Sequence, residues 1–250
     1  MPIRRTAAAL FVVVAALAAA GACQEAAPGP ESPASLRVLF IGNSLTYTNN
    51  LPATLAGVTA AAGDGIEVEM IALPNYGLID HLDRNSGAEA AIRRGGWDYV
   101  VLQQGPSTLP VNRDSLVLWT ERFNPIIRSV GARPALFMVW PPTGQAGGFT
   151  AVRESYQAAA AAVDGLFLPA GAAWQDALAQ DPSLPLYGPD GFHPGPVGTW
   201  LAAITMYEEF TGRDARQLPR RVVVNGREQV LPETQVRLLQ EAAHQASARY

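Results

Sequence analysis

Apolar runs and helix-spaced segments alternate along most of this chain. LRVLFIG (36–42), WDYVVLQQ (97–104), PALFMVWPP (134–142) and GLFLPA (165–170) are short and mostly apolar, and IEVEMIAL (66–73) alternates. Their length and their Gly, Pro and Asn borders predict strands. Between them, apolar residues recur at helical spacing in NLPATLAGVTAAAG (50–63), LIDHLDRNSGAEAAIRRGG (78–96) and DSLVLWTERFNPIIRSVG (114–131). The same holds for TAVRESYQAAAAAVD (150–164), AAWQDALAQ (172–180) and GPVGTWLAAITMYEEFTG (195–212). These segments predict helices, with a break at Gly87 and a kink or division at Pro125.

Strands that are apolar on both sides, each followed by a helix, belong in a parallel sheet covered on both faces. The expected architecture is an α/β fold: a three-layer α/β/α sandwich with a central parallel five-stranded sheet. In such sheets functional loops gather at the carboxyl ends of the strands. The tail departs from the alternation. RVVVNGREQVL (221–231) sets Asn225-Gly226 between two β-prone runs, which predicts a hairpin with a type I′ turn. A terminal amphipathic helix follows, with Pro232 in its first turn.

The first 35 residues fit none of this. Arg4 and Arg5 precede an apolar stretch, AALFVVVAALAAAG (8–21), and small residues lead to Cys23. That order predicts a secretory signal segment over 1–22, too short and wrongly flanked for a membrane span. AAAGAC resembles the bacterial lipobox, with Ala20 where Leu is usual. Cys23 is the only cysteine, so an intrachain disulfide is excluded and the thiol is expected to carry a lipid. Residues 23–35 then read as a Pro/Ala-rich tether, and 36–250 as one domain. The expected location is the bacterial cell envelope, as a membrane-anchored lipoprotein, with a periplasmic or secreted protein as the alternative. Charge adds one exclusion. The formal net charge is −4 with 16% charged residues and no basic cluster, so nucleic acid is not an expected partner.

The candidate chemistry lies where the strands end. Ser44 follows the first strand, and Gly42 permits a sharp exit there. A serine at that corner can be a helix cap or an exposed nucleophile. A nucleophilic serine needs a base, and the chain has three histidines. His244 falls in the terminal helix and His81 early in the helix after the second strand, where surface or capping roles are expected. His193 lies in LYGPDGFHPGPVGTW, a Gly- and Pro-dense loop, three residues after Asp190. A carboxylate so placed can orient an imidazole. Gly77, at a helix start in LPNYGLID, offers a free N–H. Gln103 and Gln104 close the third strand on opposite faces, so one amide is expected to reach the site. No metal site is expected from three widely spaced histidines.

Taken in chain order, Gly42-Asn43-Ser44, Gly77, Gln103-Gln104-Gly105 and Asp190-x-x-His193 resemble the blocks of the SGNH, or GDSL-like, hydrolase superfamily over about 36–212. Asn43 stands where Asp is usual. The Gln-Gly pair looks like a variant third block found in some carbohydrate acetylesterases. The resemblance implies a flavodoxin-like SGNH fold and a serine esterase that needs no cofactor. Ser44 would be the nucleophile, His193 the base and Asp190 its partner. The N–H groups of Ser44 and Gly77 would bind the oxyanion together with a Gln amide, Gln104 as first choice and Gln103 as second. It also implies a small-acyl ester substrate, with an O-acetylated glycan favoured. Tyr76, Tyr187, Trp140 and Trp174 are aromatic candidates for sugar stacking, with core packing expected for both tryptophans. Two other readings stay open. One is a flavodoxin-like FMN-binding protein in which Ser44, Thr46 and Thr48 cradle a phosphate. The other is a catalytically inactive, glycan-binding lipoprotein.

Overall fold

The computed structural model describes residues 35–250 apart from 146 and 225. The expected signal segment, the Cys23 attachment site and almost all of the tether lie outside the described residues. Within the rest, β1 (Leu36–Gly42), β2 (Ile66–Ala72), β3 (Tyr99–Leu102), β4 (Arg133–Phe137) and β5 (Leu166–Leu168) form one parallel sheet in the order β2-β1-β3-β4-β5. Val38 to Ile41, Val100 to Leu102 and Ala135 to Phe137 are completely buried, as unbroken apolar runs require. β2 alternates because it is an edge strand, half covered and carrying Glu67 and Glu69.

Helices α2 (Leu51–Ala61), α7 (Ala170–Gln180) and α8 (Pro196–Thr211) cover one face. The other is covered by α4 (Ala88–Arg93), α5 (Pro110–Arg128) and α6 (Gly148–Ala162). Short α1 (Ser44–Tyr47) and α3 (Leu78–Asp83) stand at the carboxyl ends of β1 and β2. The chain leaves β1 toward β2, then crosses back to β3 on β1's other side. That reversal opens a crevice between the loops after β1 and β3.

Several details differ from the sequence expectation. α5 runs through Pro125 as one helix. The hydrogen bond that proline removes is the one to the carbonyl of Glu121, and both residues are exposed, so water can replace it. β4 ends at Phe137, yet Met138, Val139 and Trp140 remain buried. β6 (Arg221–Val224) and β7 (Arg227–Val230) form the antiparallel hairpin; its turn residue 225 lies outside the described residues. The hairpin rests on α2, where Gly57 leaves room for it: a Cβ there would stand 2.5 Å from the Val223 carbonyl oxygen. α9 (Glu233–Arg249) buries Val236, Leu239, Ala242, Ala243 and Ala246 against α7 and α8. Among the described residues, no helix is long and apolar enough to cross a membrane.

Candidate active site

Ser44 is the first residue of α1, and Asn43 is its cap. The Asn43 side chain accepts the Leu45 N–H at 3.0 Å. The corner closes tightly because residue 42 has no side chain. A Cβ on Gly42 would lie 2.4 Å from Gln103 Oε1 and 2.5 Å from Thr46 Oγ1. Ser44 itself is half-buried, and its N–H finds no acceptor among the described residues.

The loop before α8 brings His193 to this corner from 149 residues away: its Nε2 is 2.8 Å from Ser44 Oγ. Its Nδ1 is 2.5 Å from Asp190 Oδ2. Asp190 Oδ1 accepts the N–H groups of Phe192 and His193, each at 3.0 Å. The bond to His193, then the Phe192 N–H, hold the Asp190 carboxyl down at about 2. An ionised Asp190 can only accept, which places the imidazole proton on Nδ1 and leaves Nε2 as the acceptor facing Ser44.

This loop is braced from beneath. Trp140 and Trp174 are fully buried and stacked with centroids 3.5 Å apart, and Trp140 Nε1 donates to the Phe192 carbonyl at 3.1 Å. The tryptophans therefore support the histidine loop and offer no face to a sugar. Tyr187 sets its ring edge against Trp174 and donates its hydroxyl to the Pro141 carbonyl at 2.8 Å. Gly188 N–H donates to the His193 carbonyl at 2.7 Å, and Asn49 Nδ2 to that of Pro194 at 2.8 Å.

Beside Ser44 a cavity of about 390 Å³ opens at the crevice, lined in part by Tyr76, Gly77, Gln104, Asn112 and Phe192. Tyr76 is the one sugar-stacking candidate that reaches it. Phe192 was not singled out in the sequence. Its neighbour His193 was the only signal for it.

The expected oxyanion donors are more constrained than the sequence suggested. The Gly77 N–H is not free: Asp80 Oδ2 accepts it at 2.8 Å, and Asp80 in turn pairs with Arg84 at 3.1 Å. Gln104 borders the cavity but donates to Ser107 Oγ at 3.0 Å and to the Asn112 carbonyl at 3.4 Å. Its Oε1 accepts the Leu78 N–H at 3.3 Å. Gln103 is wholly buried and donates to Asn43 Oδ1 at 3.0 Å and to the Gln104 carbonyl at 2.5 Å. With both amide hydrogens spent on the corner, Gln103 is not available to an oxyanion. Thr46 is equally spent: its hydroxyl donates to Gln103 Oε1 at 2.7 Å, so it cannot cradle a phosphate.

Two histidines also sit differently from expectation. His81 is buried, with Nε2 2.8 Å from the Gly42 carbonyl oxygen and Nδ1 2.9 Å from Ser86 Oγ. Burial pushes its pKa down, so the neutral ring donates from Nε2 and ties α3 to the Ser44 corner. Its spacing of three from buried Leu78 was the signal that it faces inward. His244 is half-buried, 2.7 Å from Glu208 Oε1 and 3.6 Å from Asp214 Oδ1. Those three could share an ion by distance, but Asp214 already takes the fork of Arg216 and Glu208 the Ala215 N–H.

No family model and no curated protein matches the chain by sequence. Solved structures do match. A Slackia heliotrinireducens protein provisionally assigned as an SGNH hydrolase is 26% identical, with a TM-score of 0.61, over 71% of this chain and 100% of that one. A DUF4886 family protein from Bacteroides uniformis is 20% identical, with a TM-score of 0.71, over 85% and 95%. An acetylxylan esterase from Geobacillus stearothermophilus, solved as a catalytic mutant, is 17% identical, with a TM-score of 0.53, over 72% and 96%. The structural resemblance is to SGNH/GDSL hydrolases, and the chain has their α/β fold.

Proposed function

We propose that this chain is a serine esterase that removes small acyl groups, and specifically O-acetyl groups from a carbohydrate. The observation that carries the reading is the continuous relay from Asp190 Oδ2 through His193 to Ser44 Oγ, at 2.5 and 2.8 Å. On this reading Ser44 Oγ attacks the ester carbonyl while His193 Nε2 takes its proton. The imidazolium formed is stabilised by Asp190 and returns the proton to the departing alcohol. Water, deprotonated by His193, then attacks the acyl-enzyme; the bond from the acyl carbon to Ser44 Oγ breaks, His193 returns the proton to Oγ, and the acid leaves.

The Ser44 N–H, unpaired among the described residues, would be the primary oxyanion donor. The Gly77 N–H would be shared with Asp80, and Gln104 would turn an amide hydrogen from Ser107. A carbohydrate leaving group is favoured by the cavity wall, where Tyr76 and Phe192 supply rings and Asn112 a polar edge. The acetylxylan esterase among the structural neighbours agrees with that choice. Export and lipidation at Cys23 complete the proposal; metabolic labelling with a fatty acid should mark the wild type and miss Cys23→Ser.

The test is turnover of aryl esters of increasing acyl length, and of acetylated glycans, by wild type and Ser44→Ala. Acetyl should be preferred and Ser44→Ala inactive. Preference for long chains would replace the acetylesterase reading with a lipase-like one. Glycan binding without turnover would favour the inactive, sugar-binding alternative.

A further inference from the structure

We propose that Gln103 is a positioning residue, which sets the corner that presents Ser44 to His193 through a reciprocal amide pairing with Asn43. The proposal rests on the esterase reading above. Gln103 is completely buried, and all its polar capacity is used. Oε1 accepts the Asn43 N–H at 2.9 Å and the Thr46 hydroxyl at 2.7 Å. Nε2 donates to Asn43 Oδ1 at 3.0 Å and to the Gln104 carbonyl at 2.5 Å. Asn43 therefore receives a bond from Gln103 and gives one back. A buried amide so saturated has no hydrogen left for a substrate, and its role must be read from what it holds.

What it holds is the Asn43 backbone on one side of Ser44 and the Thr46 hydroxyl on the other. Asn43 precedes Ser44 and Thr46 follows by two, and Gln103 grips both. Asn43 carries the restraint further: its side chain caps Leu45 and donates to the Tyr76 carbonyl at 2.9 Å. One amide pair thus joins the loops that follow β1, β2 and β3. In the stretch 43–46, Ser44 alone turns its polar side chain outward, to His193 Nε2. The absent side chain at Gly42 belongs to the same device, because Gln103 Oε1 occupies the space a Cβ would need. Pre-aligned reacting groups lose rate steeply when displaced: a 1 Å error costs about 100-fold.

Gln103→Leu leaves the Asn43 N–H and the Thr46 hydroxyl without partners and takes from Asn43 Oδ1 one of its two bonds, the Leu45 N–H remaining. Gln103→Glu keeps an acceptor but turns a carboxylate oxygen toward Asn43 Oδ1 and the Gln104 carbonyl. Thr46→Val removes one bond and leaves the pairing with Asn43 intact. The experiment measures kcat and KM on an aryl acetate and the rate at which a fluorophosphonate labels Ser44, with thermal melting as the fold control. Both Gln103 variants should lose about 100-fold in kcat and in labelling rate, with KM within about threefold of wild type. Thr46→Val should lose less in the same two readouts; it carries the test if the Gln103 variants do not fold. Wild-type labelling rates in a folded Gln103 variant would overturn the proposal, as would a loss confined to KM. If wild type neither turns over the ester nor takes the label, the esterase reading falls and this proposal with it. If wild type labels and Gln103→Leu labels equally, positioning alone falls.

Discussion

The two halves of the relay are held in different ways. The Ser44 corner grows out of the completely buried run 38–41 of β1 and is fixed by buried amides. The His193–Asp190 loop lies outside the sheet, with the Asp190 side chain 51% exposed. It is fixed by backbone bonds and by an indole N–H from below. The corner tolerates no change of volume, whereas the loop depends on one charge and several replaceable bonds. The aim of Ser44 is thus a property of the core, and the aim of His193 a property of a loop docked on that core.

Asp190→Asn should break this comparison most severely on the loop side. It leaves the shape intact but removes the acceptor that keeps the imidazole proton on Nδ1, and kcat should fall by up to about 10,000-fold. Melting should shift little, because the residue is exposed. A melting loss as large as that of a core substitution would show that the loop is not the separate unit described.

Trp140→Phe probes the floor beneath the loop. It removes the N–H that holds the Phe192 carbonyl but keeps a ring against Trp174. The expected kcat loss is well under the ~100-fold of a 1 Å misplacement, accompanied by a lower melting temperature. Unchanged values in both would remove the bracing role.

The smallest effect is expected outside both regions. Burial and the neighbouring Glu208 push the Glu209 carboxyl on α8 up to about 7 from an ordinary 4.5. Between those values the native state holds a proton that the unfolded state has released. Stability should therefore fall as pH rises from about 4.5 to about 7, and then level off. Glu209→Gln should flatten that slope in melting experiments across the range. A slope that persists in the variant would assign it to other groups.

Much of this was legible in the residues. Four apolar runs and one alternating stretch marked the five parallel strands, because buried strands must be apolar on both sides and the edge strand β2 on one. The pairing of Asp190 with His193 was legible because both lie in one short loop, and the place of Ser44 because Gly42 marks the corner. The remainder depends on partners distant in the chain. His81 looks like a surface histidine until the Gly42 carbonyl, 39 residues earlier, is placed against it. Gln103 looks like an oxyanion donor until its 60-residue reach to Asn43 is seen. The Gly77 N–H looks free until Asp80 turns back on it. Hydrogen-bond partners of polar side chains leave no periodic trace in a sequence.

The central claim is that Ser44 is an activated nucleophile served by His193. Its most direct test is the fluorophosphonate labelling rate of wild type, Ser44→Ala and His193→Ala, with the labelled peptide identified by mass. Wild type should be modified on Ser44, His193→Ala far more slowly, and Ser44→Ala not at all. Modification of another residue, or equal rates in wild type and His193→Ala, would contradict it.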